Sequence, residues 1–386
     1  MMRTRSMVVG AVCCAAAGLF GTEAGAGPML PMDANTNSWI RFSAQGQLHY
    51  SFVNSAADKE DFYLRRGRIL VDGQAIDGVT FYGFTDIPNE GKQGTAASFV
   101  VQEAWIDFAL LGKRSVLGLD PDSSWIGNHG VRVGLILLPF SFEAKSSSAK
   151  TLGVDVNGEV LKMVNTLACR DNGAEIHGNF GPYVSYVAGV FDGYEESKRG
   201  AGGNERKKNP GAPLRTTGHV AVNLLGNAET DANYIEERLN DDTFLSVGGG
   251  FDRQSKATVF PEIPASTNAP VHEATPAREQ DSKNWVVDFE SGCKLGVINL
   301  TVNGGYYKWN NSEYKGKTWF IENGIRYDKT QLCTKYTKLD PESGDEAEDY
   351  TVGLNYFFKG HNARAGIEYR YGDSPKQVLC GLQFLL

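Results

Sequence analysis

Arg66 and Arg68 stand two residues apart in the segment Phe-Tyr-Leu-Arg-Arg-Gly-Arg-Ile-Leu-Val-Asp-Gly at 62–73. On a β-strand that spacing places both guanidinium groups on one face. A guanidinium holds a fixed charge and a fork of five donors, so a file of them replaces the water an anion sheds in a narrow passage. The same alternation assigns Arg41, Arg132, Arg215, Arg326, Arg364 and Arg370 to the polar side of their segments. Lys145 and Lys150 lie in a stretch without alternation and are candidates to join the file, opposed there by Glu143, Asp155 and Glu159. The polar side also carries Glu103, Asp107, Glu175, Asp288, Glu290, Glu322 and Glu368, so the two signs nearly balance. Each arginine therefore has two readings: a contact for a passing anion, or the partner of a carboxylate that holds a wall together.

Those assignments depend on the elements that carry the residues. Between Asn362 and Gly372, Ala363, Ala365, Ile367, Tyr369 and Tyr371 fall on one side, and Asn362, Arg364, Gly366, Glu368 and Arg370 on the other. Trp39–Phe52 and Val297–Trp309 divide in the same way. About sixteen such segments follow one another, an even number as bacterial barrels require. They include 114–119, and 53–59, 89–97, 120–129, 194–214, 254–283 and 329–346 read as long connections. Arg3, Arg5, the apolar run Met7–Phe20 and Ala24-Gly25-Ala26 make a secretion signal cleaved after Ala26. Beyond it no apolar run approaches the roughly 18–20 residues of a membrane helix. The expectation is an all-β chain, with a signal peptide at 1–26 and one domain at 27–386. That domain is a transmembrane antiparallel β-barrel of about sixteen strands. The break at 140–168 is read as a loop folded inward to constrict it.

Four motifs resemble one family. The arginine-rich segment at 62–73 is joined by Val-Val-Gln-Glu-Ala-Trp at 100–105, which leads on to Val-Arg-Val-Gly-Leu-Ile-Leu-Leu-Pro-Phe-Ser-Phe-Glu at 131–143. A Cys-Arg-Asp-Asn-Gly hairpin at 169–193 and a hairpin at 350–369 follow in the same order. In these the chain resembles the phosphate-selective porins of the O/P family. The resemblance implies a sixteen-stranded homotrimeric outer-membrane channel. The family's terminal aromatic sits two places early here, at Phe384.

The expected role is a water-filled outer-membrane channel for passive diffusion of small hydrophilic solutes and ions. Its partners are those solutes or inorganic anions and the outer-membrane lipid. Anion preference rests on Arg66, Arg68 and the resemblance, against an acidic chain whose net charge is −8, or −9 once Arg3, Arg5 and Glu23 are removed. The rival readings are an outer-membrane hydrolase and an adhesive barrel. None of the six histidines sits in a nucleophile motif, and His177 beside Glu175 reads as a hydrogen-bonded pair. Trp125, the Pro-rich 260–270 stretch and the acidic 339–349 stretch are candidate adhesive surfaces. No enzyme activity, cofactor, metal or nucleic-acid partner is expected. Cys169, Cys293, Cys333 and Cys380 have no metal spacing and read as isolated thiols or one disulfide. Trp105, Tyr307, Trp309 and Phe320 face inward, too few for a sugar-binding file.

Overall fold

The computed structural model describes residues 27–33, 37–54, 60–92, 94–95, 98–120, 125–163, 169–194, 207–208, 211–226, 234–240, 242–260, 278–312 and 314–386. The signal-peptide assignment, the Pro-rich stretch and most of the basic 195–214 stretch lie outside them. The strands are β1 (Met29–Asp33), β2 (Ser38–Val53), β3 (Glu60–Ile76), β4 (Val79–Asp86), β5 (Val100–Leu111), β6 (His129–Leu137), β7 (Arg170–Phe180), β8 (Val184–Phe191) and β9 (Lys207–Lys208). They continue with β10 (Arg215–Leu225), β11 (Phe244–Phe260), β12 (Arg278–Leu295), β13 (Ile298–Asn310), β14 (Lys315–Tyr327), β15 (Thr330–Pro341), β16 (Ala347–Lys359), β17 (Ala363–Gly372) and β18 (Gln377–Leu385).

Two of these, β1 and β9, are short additions. The other sixteen form a closed antiparallel barrel in which β8 pairs directly with β10. Closure comes where β18 lies against β2, with Gly381 opposite His49 and Leu382 opposite Leu48. Just beyond, the Leu386 and Ala44 backbones exchange hydrogen bonds of 2.9 and 3.0 Å, and β1 pairs with the start of β2. A closed cylinder satisfies every ladder internally, which is what strands need in hydrocarbon.

Burial is inverted relative to a water-soluble protein. In β2 the polar Gln45, Gln47, His49 and Ser51 are buried, while Phe42 and Leu48 are 44% and 47% exposed. In β17 Arg364 and Glu368 are buried, while Ile367, Tyr369 and Tyr371 are exposed. Apolar outside and polar inside is a barrel wall facing lipid. Around the exterior, Trp285, Tyr306, Trp319, Tyr336, Tyr350 and Tyr371 stand on six successive strands, β12 to β17. Ring pairs along that row lie 4.8–5.6 Å apart (Trp285–Tyr306, Trp319–Tyr336, Tyr336–Tyr350, Tyr350–Tyr371). Such a girdle marks the level of the lipid headgroups.

The strand count of sixteen holds, but two assignments need correction. Segment 114–119 is not a strand: Ser115 N bonds Gly112 O, Gly118 N bonds Ser115 O, and both glycines have positive φ, so the chain coils through successive turns. Conversely 329–346 is not a long loop. It is mostly β15, entered by a tight turn in which Asp328 has φ 50°. The outward face of β15 carries Thr330, Leu332, Thr334, Tyr336 and Lys338, and two apolar residues among five do not make a column that reads as a strand. The two errors cancel in the count. Among the described residues Cys169, Cys293, Cys333 and Cys380 form no disulfide with one another, which answers the disulfide question in favour of unbridged thiols.

Tight turns at 77–78, 181–183, 296–297, 328–329 and 360–362 gather at the mouth that holds the chain ends. In outer-membrane barrels that is the periplasmic mouth.

Candidate functional site

Residues 138–163 leave β6 and run inside the barrel, as the break in alternation predicts. The wall makes room by withholding side chains. A Cβ on Gly250 would lie 1.9 Å from the Phe140 carbonyl oxygen, and one on Gly381 would lie 2.5 Å from Val154 Cγ1. One flank of the segment is apolar: Phe140, Ala144, Val160 and Met163 pack with Tyr307, Trp309 and Phe320 of the wall. These inward aromatics therefore anchor the loop. They are not spread along an open passage.

The other contacts are polar and come from strand after strand. Phe142 N donates to Asp288 Oδ2 at 2.8 Å, Thr318 Oγ1 to the Val160 carbonyl at 2.7 Å, and Asn157 Nδ2 to Thr337 Oγ1 at 3.1 Å. Asn355 Nδ2 donates to the Leu152 carbonyl at 2.8 Å, and Val154 N to Glu368 Oε1 at 2.6 Å. Gln383 and Gln47 donate to the Ala149 and Ser148 carbonyls, each at 2.8 Å. These contacts satisfy loop carbonyls and loop N–H groups that would otherwise be buried without partners.

A second inward segment was not foreseen. Residues 234–240 enter from the periplasmic mouth and meet the constriction loop backbone to backbone. Tyr234 N bonds the Lys145 carbonyl at 3.0 Å, and Ser147 N bonds the Tyr234 carbonyl at 2.9 Å. Glu236 Oε2 accepts from Leu152 N at 2.9 Å. Glu237 Oε2 accepts from Thr301 Oγ1 at 2.9 Å and from Gln331 Nε2 at 2.6 Å.

The structure gathers four of the candidate cations around loop residues 148–155. Arg66 Nη1 donates to Asp155 Oδ1 at 2.8 Å and to Gln47 Oε1 at 2.6 Å. Arg68 donates to Asp86 at 3.0 Å and to Ser148 Oγ at 2.6 Å, its guanidinium 4.7 Å from the Phe84 ring. Arg364 grips Thr151 through its carbonyl and hydroxyl oxygens, each at 2.6 Å. Lys150 is the fourth.

The remaining candidates stand apart. Arg41 pairs with Asp72 at 2.7 Å, and Arg132 bridges Asp107 and Glu175, each at 2.8 Å, over the Trp105 ring. Arg215 forks onto Asp252 at 2.5 and 2.9 Å. Arg326 lies 3.4 Å from Glu237, and Arg370 bonds Asp349 at 2.5 Å with Glu159 at 3.4 Å. Lys145 is buried with its ammonium 5.2 Å from the Tyr234 ring.

Four further inward cations escaped the sequence reading: Arg65, Arg170, Arg238 and Lys335, the last 3.5 Å from Glu322. The β2–β3 register shifts after Gln47, which inserts Arg65 as an extra residue. That bulge turns Arg65 inward beside Arg66, and its Nε donates to Asp155 Oδ2 at 2.6 Å. Arg170, at the first position of β7, pairs with Glu103 at 2.7 Å, and Arg238 of the second inward segment pairs with Glu290 at 2.6 Å. The Arg-Arg-Gly triplet at 65–67 was the one sequence signal for the bulge.

Burial would raise the Asp155 carboxyl, but the Arg66 and Arg65 guanidiniums outweigh it and hold it well below the usual carboxylate range. Glu143 and Glu236 move the other way. Burial first, then mutual repulsion with Glu322, pushes both up.

Beneath the loop a cavity of about 490 Å³ opens toward the chain-end mouth, lined by Arg41, Ser43, Asp72, Thr80, Tyr82, Trp105 and Lys150 among others. Among the lining side chains, Arg41 and Lys150 stand against one carboxylate, Asp72.

Known folds agree with this architecture. The chain superposes on the outer-membrane-expressed OmpT of Vibrio cholerae with a TM-score of 0.53 at 13% identity, over 93% of this chain and all of that one. It superposes on a variant of the Rh. blastica porin with a TM-score of 0.56 at 13% identity, over 90% of this chain and 100% of that one. For the anion-selective porin of Comamonas acidovorans the TM-score is 0.53 at 12% identity, with 90% and 100% covered. No curated protein matches the sequence. The family model for phosphate-selective porin O and P matches residues 42–292. With its strands facing lipid and its lumen crossed by a wall-bound loop, the chain is an outer-membrane porin and belongs to the phosphate-selective porin O and P family.

Proposed function

We propose that this porin passes small hydrophilic solutes by diffusion and prefers inorganic anions, phosphate among them, at the cavity under the constriction loop. Lys150 carries the reading. It lines that cavity, and among the described residues it makes no ion pair, whereas most of the other candidate cations are matched to a carboxylate. An unmatched ammonium in a narrow, low-dielectric passage attracts anions and repels cations. Arg364 adds to the same field, because its partners on Thr151 are neutral.

The histidines favour a wall over a hydrolase. His177 pairs with Asp107, His219 with Asp288, and His129 with Tyr186, while His361 bonds the Glu237 carbonyl. None of these partners is a serine. A homotrimer in outer-membrane lipid is the assembly we infer from the family.

Planar-bilayer recording tests the reading. In a salt gradient the reversal potential takes the sign of anion preference, and phosphate added to chloride lowers the chloride current. Lys150→Glu shifts the reversal potential toward cations. A cation-preferring reversal potential in the wild-type channel overturns the proposal.

A further inference from the structure

Where the two inward segments meet the wall, three carboxylates converge. Glu143 comes from the constriction loop, Glu236 from the periplasmic segment and Glu322 from β14. All three are buried, and one oxygen from each lies within 4.8 Å of the others. Two of them spend one oxygen on the backbone: Glu143 Oε1 accepts from Asn157 N at 3.0 Å and Glu236 Oε2 from Leu152 N at 2.9 Å. Among the described residues no hydrogen-bond donor reaches either oxygen of Glu322.

A second observation is independent of the acids. Asn303 of β13 is 7% exposed, and its Oδ1 also lacks a donor. Its Nδ2 is committed to the Glu236 carbonyl at 3.1 Å, which fixes the amide's orientation. Asn303 lines the same cavity as the three glutamates, and that cavity holds about 20 Å³. That is room for one ion or water. An orphaned amide oxygen and three carboxylates around such a space are an oxygen-only donor set.

The local cations do not neutralise it. Lys335 Nζ lies 3.5 Å from Glu322 Oε2, but its single charge also faces Glu143, Glu236 and Glu368. Arg364 is turned to Thr151. Oxygen-only sites suit hard divalent cations and disfavour zinc or copper. Calcium–oxygen bonds of about 2.3–2.6 Å put opposite ligands about 4.6–5.2 Å apart, whereas magnesium draws them to about 4.2 Å or less. The oxygens here all lie within 4.8 Å of one another, and a cavity of about 20 Å³ has no room for the several waters magnesium keeps, so the set suits calcium. We propose that Glu143, Glu236, Glu322 and Asn303 form a calcium site that locks the constriction loop and the periplasmic segment to the barrel wall.

The test uses the detergent-purified full-length protein, stripped with EDTA and dialysed against trace calcium. Metal analysis should find about one calcium per chain, and calcium should raise the melting temperature of the stripped protein. Glu322→Gln should weaken calcium binding about tenfold or more, on the scale of a lost ligand or its support. Because Glu322→Gln also alters the Lys335 pair, Asn303→Asp serves as the second variant. It adds a carboxylate and should tighten calcium binding, an outcome that misfolding does not mimic. The proposal is overturned if the stripped protein binds no calcium, or if its melt responds to acid and not to calcium, since shared protons would then be the neutralising species.

Discussion

Asp155 Oδ1 lies 2.8 Å from Arg66 Nη1, and Asp155 Oδ2 lies 2.6 Å from Arg65 Nε. One loop carboxylate thus closes two adjacent wall arginines that a strand without a bulge would have sent to opposite faces. The pair of contacts is a clasp between β3 and the constriction loop, not an open anion contact. It also explains why an arginine-rich strand does not by itself make a positive lumen.

Replacing Asp155 with Asn should therefore loosen the loop and leave Arg66 buried without its counter-charge. A stability loss of about 1–3 kcal/mol is expected, with more current noise in single-channel records. The pH dependence has a definite sign. The native Asp155 carboxyl sits below its unfolded value of about 3.9, so its contribution is complete above that pH and is lost as pH falls through the native value. The stability gap between wild type and Asp155→Asn should be constant from neutral pH to about pH 4 and close only below it. A gap that narrows between pH 7 and 5 would contradict the clasp.

The cavity below the loop predicts opposite effects at two positions. Lys150→Gln should lower the anion-to-cation permeability ratio, and Asp72→Asn should raise it, because they remove opposite charges from one lining. Both shifts should be larger at 0.1 M salt, where the screening length is about 10 Å, than at 1 M, where it is about 3 Å. Reversal potentials at the two salt concentrations measure this directly.

Alternation made the barrel legible because lipid on one side and polar atoms on the other impose period two on nearly every strand. It missed β15, whose outward Thr334 dilutes the apolar column, and it took the turns at 114–119 for a strand. For the site, alternation placed Arg66, Arg68, Arg364 and Arg370 inside, but it gave no partners. Asp155, Thr151 and Glu159 lie 89 to 213 residues away from the arginines they meet. The segment at 234–240 was invisible for a different reason. It is buried by what it bonds, with Glu236, Glu237 and Arg238 carrying the contacts, and nothing in so charged a run signals burial.

Phe140 should be the most sensitive apolar position of the loop. It is fully buried, 5.3 Å from the Trp309 ring and 6.0 Å from the Tyr307 ring. Phe140→Ala should cost about 3–5 kcal/mol by the usual large-to-small penalty. The barrel ladders do not include this residue, so the circular-dichroism strand signal should persist while channel closures become frequent. Loss of strand signal with unchanged gating would place the role of Phe140 in the wall instead.

Glu237 holds the periplasmic segment as Asp155 holds the loop. Its carboxylate takes donors from Thr301 and Gln331 and faces Arg326 at 3.4 Å, while its own carbonyl accepts from His361 Nε2 at 2.6 Å. Glu237→Ala removes the carboxylate and strands a buried arginine, which costs about 3–5 kcal/mol when no partner replaces it. A double replacement, Glu237→Ala with Arg326→Leu, should recover part of that loss, because no uncompensated charge remains. If the segment narrows the lumen from the periplasmic side, single-channel conductance rises in both variants, whereas a segment that only braces the wall leaves conductance at the wild-type value.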